Sequence, residues 1–186
     1  KTYRILRGIK NRFGCTNEIG IFNIVENGLS EVTNPGEIFL NERSNTITPG
    51  STIIIASEGN RAITAEIQAL VGTTAYPAPR RVTNGIDYNR LLQLLAVIEK
   101  RIGLKFNTSD VYVNITGGIE IDEPAADLGI ALAIITCARD VIVDPGTAIV
   151  GEIGLSGEIR KVNNIEKRIS EAQKLGFKNI IIPKGN

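Results

Sequence analysis

The chain has 186 residues, of which 42% are hydrophobic, so its length suits one ample domain or one domain and part of another. Its net charge of +1 excludes a chain that is basic overall, and any contact with nucleic acid must come from a local patch. Histidine is absent, which excludes histidine-based catalysis and metal binding, and the two distant cysteines, Cys15 and Cys137, form no CxxC zinc motif.

The chain begins inside a strand pattern. An alternating run from Ile5 to Ile9 predicts a strand, and if that strand continues, Lys10 and Arg12 project from one face just before Gly14. Two cations at this spacing suit the binding of a polyanion, above all the phosphates of a nucleotide. The alternative is an exposed basic strand end that keeps a sheet edge soluble.

Two structural units are predicted, with a junction in the polar segment 37–50. Residues 1–40 have further strand patterns on either side of the turn Asn27-Gly28, and they end at Asn34-Pro35-Gly36. Residues 41–186 form the second unit.

The second unit alternates strands and helices. A hairpin (51–57 and 62–70) and an irregular loop (76–81) precede a helix capped by Asp87 and closed by Gly103. Then come a strand (111–115), a buried helix from Glu123-Pro124 to Arg139, a hairpin (148–152 and 158–162), a helix capped by Asn163 or Asn164, and a closing strand (180–182). This order predicts an α+β fold.

Arginines and tyrosines are interleaved around the predicted irregular loop. Arg80 and Arg81 lie in the loop and Arg90 on the next helix, with Tyr76 and Tyr88 beside them. Cations interleaved with aromatic rings suit single-stranded nucleic acid, so these three arginines are candidate DNA-binding residues. An ordinary solvated loop is the alternative.

A second basic cluster is expected to be a solvated hairpin end and helix face. It comprises Arg160, Lys161, Lys167 and Arg168.

Four acidic residues surround the start of the buried helix or of the helix after it. They are Asp122, Glu123, Asp127 and Glu166, and they suggest either a metal cluster or carboxylates that complement helix dipoles. We favour the second interpretation, and we predict no metal site.

The pentapeptide Lys10-Asn11-Arg12-Phe13-Gly14, within KNRFGCTNEIGIF, resembles the late strands of the RecA-type core in the RadA (Sms) family of bacterial DNA-repair proteins. It is also similar to the K-x-R element of DnaB-type hexameric helicases. The resemblance implies that this pentapeptide senses ATP in trans, with Lys10 and Arg12 reaching the phosphates bound by a neighbouring subunit.

Four stretches of the second unit resemble the proteolytic domain of Lon protease, which is a ribosomal protein S5 domain 2-like fold; they are residues 113–118, 123–131, 151–157 and 181–184. The RadA family carries such a domain after its ATPase core. A Lon-type site needs a serine nucleophile and a lysine base, and the matching positions hold Ala125 and Glu166. The resemblance therefore implies a Lon-like domain without peptidase activity.

The RadA resemblance also implies a function for the full-length protein. It implies a homohexameric ATPase that translocates on single-stranded DNA and promotes branch migration of recombination intermediates alongside the RecA recombinase. The resemblance implies that ATP and magnesium bind to the full-length protein and that zinc binds to an N-terminal part of it. This chain has no GxxxxGK[ST] loop, so we expect it to be a fragment without a cofactor.

With no signal peptide and no long apolar span, the expected location is the cytoplasm, without a membrane partner. The alternative function is a purely structural oligomerisation domain without specific DNA contact.

Overall fold

The structure is a computed structural model that describes residues 3–7, 19–25, 27–31, 48–58, 61–116 and 119–186. Within the first predicted unit it has three antiparallel strands in the order β1-β2-β3: β1 (Tyr3–Arg7), β2 (Ile19–Val25) and β3 (Gly28–Glu31). Val25 pairs with Gly28, whose φ of 125° is accessible to glycine and suits the sharp reversal predicted here. Residues 10–14 lie outside the described residues.

The second unit contains a mixed six-stranded sheet, and its strands are β4 (Ser51–Glu58), β5 (Arg61–Thr73), β6 (Arg81–Asn84), β7 (Ser109–Ile115), β8 (Thr147–Ile149) and β11 (Asn179–Ile181). Their order in the sheet is β11-β8-β4-β5-β7-β6. The β4–β5 and β5–β7 pairs are antiparallel, and the β11–β8, β8–β4 and β7–β6 pairs are parallel. A separate small hairpin joins β9 (Glu152–Ile153) to β10 (Ile159–Arg160).

Helix α1 (Tyr88–Ile102) has both of its predicted ends. The Asp87 side chain accepts a hydrogen bond from the Arg90 N–H, and Gly103 ends the helix at a φ of 78°. Leu91, Leu94 and Ile98 recur at helical spacing and are buried against the sheet.

Helix α2 (Asp127–Ala138) is the predicted buried helix, but its first turn differs from the prediction. Residues 124–126 form a short 3₁₀ segment, Pro124–Ala126, before the α-helix begins. Gly129 lies so close to strand β4 that a Cβ atom there would overlap the Ile54 side chain. Helix α3 (Ile165–Lys174) follows Asn164, whose side chain makes no capping hydrogen bond.

Two hydrophobic cores lie on opposite faces of the sheet because successive residues of a strand point to opposite sides. Ile54 contributes to the core beneath α1 and α2, and Ile53 contributes to the core beneath α3. The adjacent residues Ala125 and Ala126 also separate, one into each core. The 3₁₀ segment therefore connects the two faces of the sheet.

The predicted mixture of helices and strands is confirmed, with two differences in the strands. Strand β6 lies where the prediction had a loop followed by a helix, and it pairs with β7. Strand β8 joins the main sheet between β4 and β11, and the hairpin is formed by β9 and β10. No helix among the described residues is long and apolar enough to cross a membrane.

Candidate nucleic-acid interface

Arg80 is exposed and stacks on an exposed tyrosine. Its guanidinium carbon lies 3.3 Å from the centroid of the Tyr76 ring. Backbone contacts fix the residue, because its N–H donates to Asp110 Oδ1 at 2.7 Å and its carbonyl accepts from the Val111 N–H at 2.9 Å. This geometry presents a cation and an aromatic face together at the edge of the sheet.

The charge of Arg80 is also supported by a second tyrosine. Desolvation lowers the pKa of Arg80, but hydrogen bonding to Tyr112 and Tyr76 outweighs it, and the net pKa is raised. The hydrogen bond from the Arg80 N–H lowers the pKa of Asp110. The carboxylate of Asp110 is therefore held ionised beneath the loop that carries Arg80.

Arg81 has a different role from its neighbour. Its guanidinium donates to the carbonyl oxygens of Ser109 and Phe106, each at 2.6 Å, and to that of Arg80 at 2.9 Å. These bonds tie the start of β6 to the loop before β7 and to the first residue of β7. Most of its donors are thereby directed into the protein.

Arg90 lies apart from this loop and forms an ion pair. Its Nε donates to Asp127 Oδ1 at 2.7 Å, and its Nη2 donates to Asp127 Oδ2. The Asp127 side chain is 1% exposed and also accepts from the Ile153 N–H at 3.0 Å. The hydrogen bond to Asp127 raises the pKa of Arg90, while burial raises the pKa of Asp127 against the opposing effect of Arg90 and the Ile153 N–H.

The three candidate arginines therefore do not form one patch. Arg80 and Arg81 are adjacent, with only Arg80 turned towards solvent, and Arg90 joins α1 to the start of α2. Contact of these residues with DNA stays a prediction.

At the positions matched to the Lon dyad, the structure places a buried methyl group and an exposed carboxylate. Ala125 is 4% exposed in the 3₁₀ segment, and its carbonyl accepts from the Gly151 N–H at 2.8 Å. Glu166 lies on the exposed first turn of α3.

The expectation that Arg168 is solvated is wrong. Its side chain is 1% exposed and forms a double ion pair with Glu123. It also donates to the carbonyl oxygens of Ile55 at 2.5 Å and Asn163 at 2.9 Å. Arg168 is buried because it lies on the same stripe of α3 as Ile165 and Ala172, three residues after one and four before the other.

Two of the acidic residues near α2 are used in ion pairs. Glu123 binds Arg168 and accepts the Ser57 N–H at 2.6 Å, and Asp127 binds Arg90. Within the described ranges, no group of three acidic or cysteine residues is placed to hold a metal ion.

The sequence interpretation missed Tyr112, whose side chain reaches Arg80. A signal was present in the predicted strand 111–115, because its apolar residues Val111, Val113 and Ile115 alternate with Tyr112 and Asn114, which directs Tyr112 to the opposite face of the strand.

The second unit is a domain with a mixed sheet, helices on both faces of the sheet, and the Arg80–Tyr76 pair at the edge of the sheet. Comparison with known proteins gives the family of the chain. A family model described as "Subunit ChlI of Mg-chelatase" matches residues 89–186, more than half of the chain. The chain belongs to the family that this model describes.

Over its whole length the chain is also similar to bacterial proteins named DNA repair protein RadA, which confirms the resemblance stated from the sequence. It is 51% identical over 185 residues to the protein of Halalkalibacterium halodurans, covering 100% of this chain and 40% of that protein. For Synechocystis sp. the identity is 52% over 184 residues, covering 99% and 36%. For Bacillus subtilis it is 52% over 185 residues, covering 100% and 40%. The chain thus spans about two fifths of the length of these curated relatives.

Proposed function

We propose that this chain is the C-terminal part of a DNA repair protein of the RadA type, and that its second unit contacts single-stranded DNA. The relatives named DNA repair protein RadA match along the whole chain, which supports the first half of the proposal. The second half rests on the exposed Arg80 stacked on Tyr76. A cation beside an aromatic ring serves both components of a single strand, the charged backbone and the flat bases.

The second unit is proposed to be a Lon-like scaffold without peptidase activity. Ala125 has no atom that can attack a carbonyl group, and Glu166 cannot act as the amine base of such a site. On the α3 side of this segment lies Arg168, which is paired with Glu123. A guanidinium keeps its proton in proteins, so it is a poor general base.

The activity of the full-length protein is proposed from the same family resemblance. It comprises ATP hydrolysis with magnesium, a homohexameric ring, branch migration with the RecA recombinase, and a cytoplasmic location. Lys10 and Arg12 would contact the nucleotide of the neighbouring subunit. Residues 1–40 would be the last strands of the ATPase core and residues 41–186 the Lon-like domain.

The DNA contact is tested by comparing two arginine variants that remove the same charge. Arg80→Ala removes the stacked cation, and the control Arg160→Ala removes an exposed cation of the β9–β10 hairpin that pairs with Glu158. Binding of a fluorescent oligo-dT strand is measured by fluorescence anisotropy at salt concentrations from about 50 to about 200 mM, because phosphate contacts weaken steeply over this range. Arg80→Ala should weaken binding and reduce the salt slope by about 0.7, the value for one lost phosphate contact to a single strand.

The assembly alternative predicts a different result. Large apolar side chains lie exposed at Leu155 (74%), Val141 (52%) and Ile142 (51%), and these are candidate contacts for that alternative. If the second unit only assembles, its mass in solution exceeds that of one chain, and wild type and both arginine variants fail to bind the strand. Equal binding by Arg80→Ala and wild type would also contradict the proposed contact.

A further inference from the structure

Half of one sheet face is left open by the helices. On the side away from α1 and α2, helix α3 packs on β4 and on part of β5, over a core that includes Ile53, Ile55 and Ala148. The rest of β5 and strands β7 and β6 continue the sheet beyond that helix. On the same side, Leu70 of β5 is 63% exposed and Val82 of β6 is 45% exposed.

Strand register aligns the side chains of this open face into two rows. Tyr112 of β7 pairs with Val82 on one side and with Leu70 on the other, which makes an apolar and aromatic row across three strands. Two residues further along, Asn114 pairs with Asn84 and with Gln68, which makes a row of amides. With strands about 4.8 Å apart, each row spans about 10 Å. We call these two rows together the open face.

The two rows differ in what they can bind. The apolar row offers a flat surface centred on a tyrosine ring. In the amide row, Asn84 Nδ2 donates to Asn114 Oδ1 at 2.7 Å, which fixes the orientation of both amides and leaves further donors and acceptors for a ligand. Flat apolar surface beside oriented amides suits a planar ring with polar edges.

Arg80 lies at the border of the apolar row. It immediately precedes β6, it lies one residue before the Arg81–Val111 pair that is next to the Val82–Tyr112 pair, and it stacks on Tyr76. Among the described residues, the Arg80 guanidinium takes part in no ion pair, while its backbone N–H donates to Asp110 Oδ1 at 2.7 Å. The border of the open face therefore carries an exposed guanidinium, and the nearby Asp110 carboxylate is bound to the backbone of the same residue.

We propose that the open face binds single-stranded nucleic acid, with a base stacked on Tyr112, its polar edge at the amide row, and the backbone phosphate at Arg80. This inference rests on the proposed DNA contact and extends it from one arginine to a surface of three strands. A protein partner would also use the apolar row, but it gives no reason for an unpaired cation and oriented amides at its margins.

The test separates loss of stacking from loss of charge. Anisotropy is measured for the whole chain with an oligo-dT strand and with an abasic strand of the same length. The variants are Tyr112→Ala, Tyr112→Phe and the control Tyr88→Ala, which removes an exposed ring (47%) from α1 on the opposite side of the sheet. Far-UV circular dichroism checks the fold of each variant, and Tyr112→Phe keeps the ring in place.

The open face is supported by a specific combination of results. Tyr112→Ala should weaken oligo-dT binding about tenfold without changing the salt slope, because a stacked base and not a phosphate contact is lost. Tyr112→Phe and Tyr88→Ala should bind within about twofold of wild type. The abasic strand should bind wild type about tenfold more weakly than oligo-dT, and Tyr112→Ala should add little to that loss.

Three results would overturn the open-face proposal, and they separate it from the proposed function. If the abasic strand binds wild type as tightly as oligo-dT while Arg80→Ala still weakens binding, the DNA contact stands without the face. If Tyr112→Ala and Leu70→Lys change the mass of the protein in solution but not DNA binding, the face is a protein interface. If wild type binds neither strand, both proposals fail.

Discussion

The ion pair between Arg168 and Glu123 gives the sharpest prediction about stability. In the variant Arg168→Met, an apolar chain of similar length replaces the guanidinium, which is 1% exposed. The Glu123 carboxylate and the Ile55 carbonyl then lose the hydrogen bonds that Arg168 donates to them. Removing one partner of a buried pair costs about 3–5 kcal/mol.

The expected loss lies at the lower end of that range because water reaches the other partner. Glu123 is 23% exposed and keeps its hydrogen bond from the Ser57 N–H. We therefore expect Arg168→Met to lower the free energy of unfolding by about 3 kcal/mol, which corresponds to a fall in Tm of roughly 6–12 °C for a protein of this size.

Urea denaturation followed by circular dichroism measures this loss, since the chain has no tryptophan for fluorescence. The control is Arg160→Met, whose pair with Glu158 is exposed on both sides (56% and 43%), so this variant should change the free energy of unfolding little. The double variant Glu123→Gln/Arg168→Met should be less destabilised than the sum of the single variants by about 1 kcal/mol or more. A loss below about 1 kcal/mol for Arg168→Met would refute the role assigned to this pair.

Three further predictions concern catalysis, nucleotide sensing and acid stability. Ala125→Ser should leave the chain without peptidase activity on an unfolded protein, because no amine base is positioned, and measurable cleavage would contradict this. In the full-length protein, Arg12→Ala should reduce the rate of ATP turnover by a factor of roughly 10³, and Arg12→Lys should restore little of that rate. A rate near that of wild type in a normally assembled Arg12→Ala ring would exclude the proposed contact of Arg12 with the neighbour's phosphates. Because the folded-state pKa of Asp110 is lowered, its stabilisation is present above the unfolded value of 3.8 and is lost as the pH falls through the folded value. Urea titrations at several acidic pH values should thus show a smaller dependence on pH for Asp110→Asn than for wild type, and parallel curves would count against this.

The elements that local signals define could be predicted from the sequence. Asp87 and Gly103 mark the ends of α1 because an N-cap and a left-handed glycine act within a few residues of the backbone they complete. The buried helix was recognisable because it is apolar on nearly every side. Strand β6 was missed because three of its four residues, Arg81–Asn84, are polar and the segment becomes a strand only by pairing with β7.

The partners of charged residues could not be predicted because they are distant in sequence. Arg90 and Asp127 are separated by 37 residues, and Arg168 and Glu123 by 45. A cation next to another cation, as Arg168 is next to Lys167, suggests solvent exposure, and this expectation is wrong for Arg168. Its spacing from Ile165 and Ala172 carried the better information, since helical position decides which side chains are buried.

The segment 123–127 also sets how the two faces of the sheet can move. One end is held by Arg168 from α3 and the other by Arg90 from α1, and these helices pack on opposite sides. Arg90, Arg168 and the five residues between their partners therefore form a chain of contacts from one helical layer to the other. This chain runs beside the sheet, so the two layers are joined by ion pairs as well as by the strands between them.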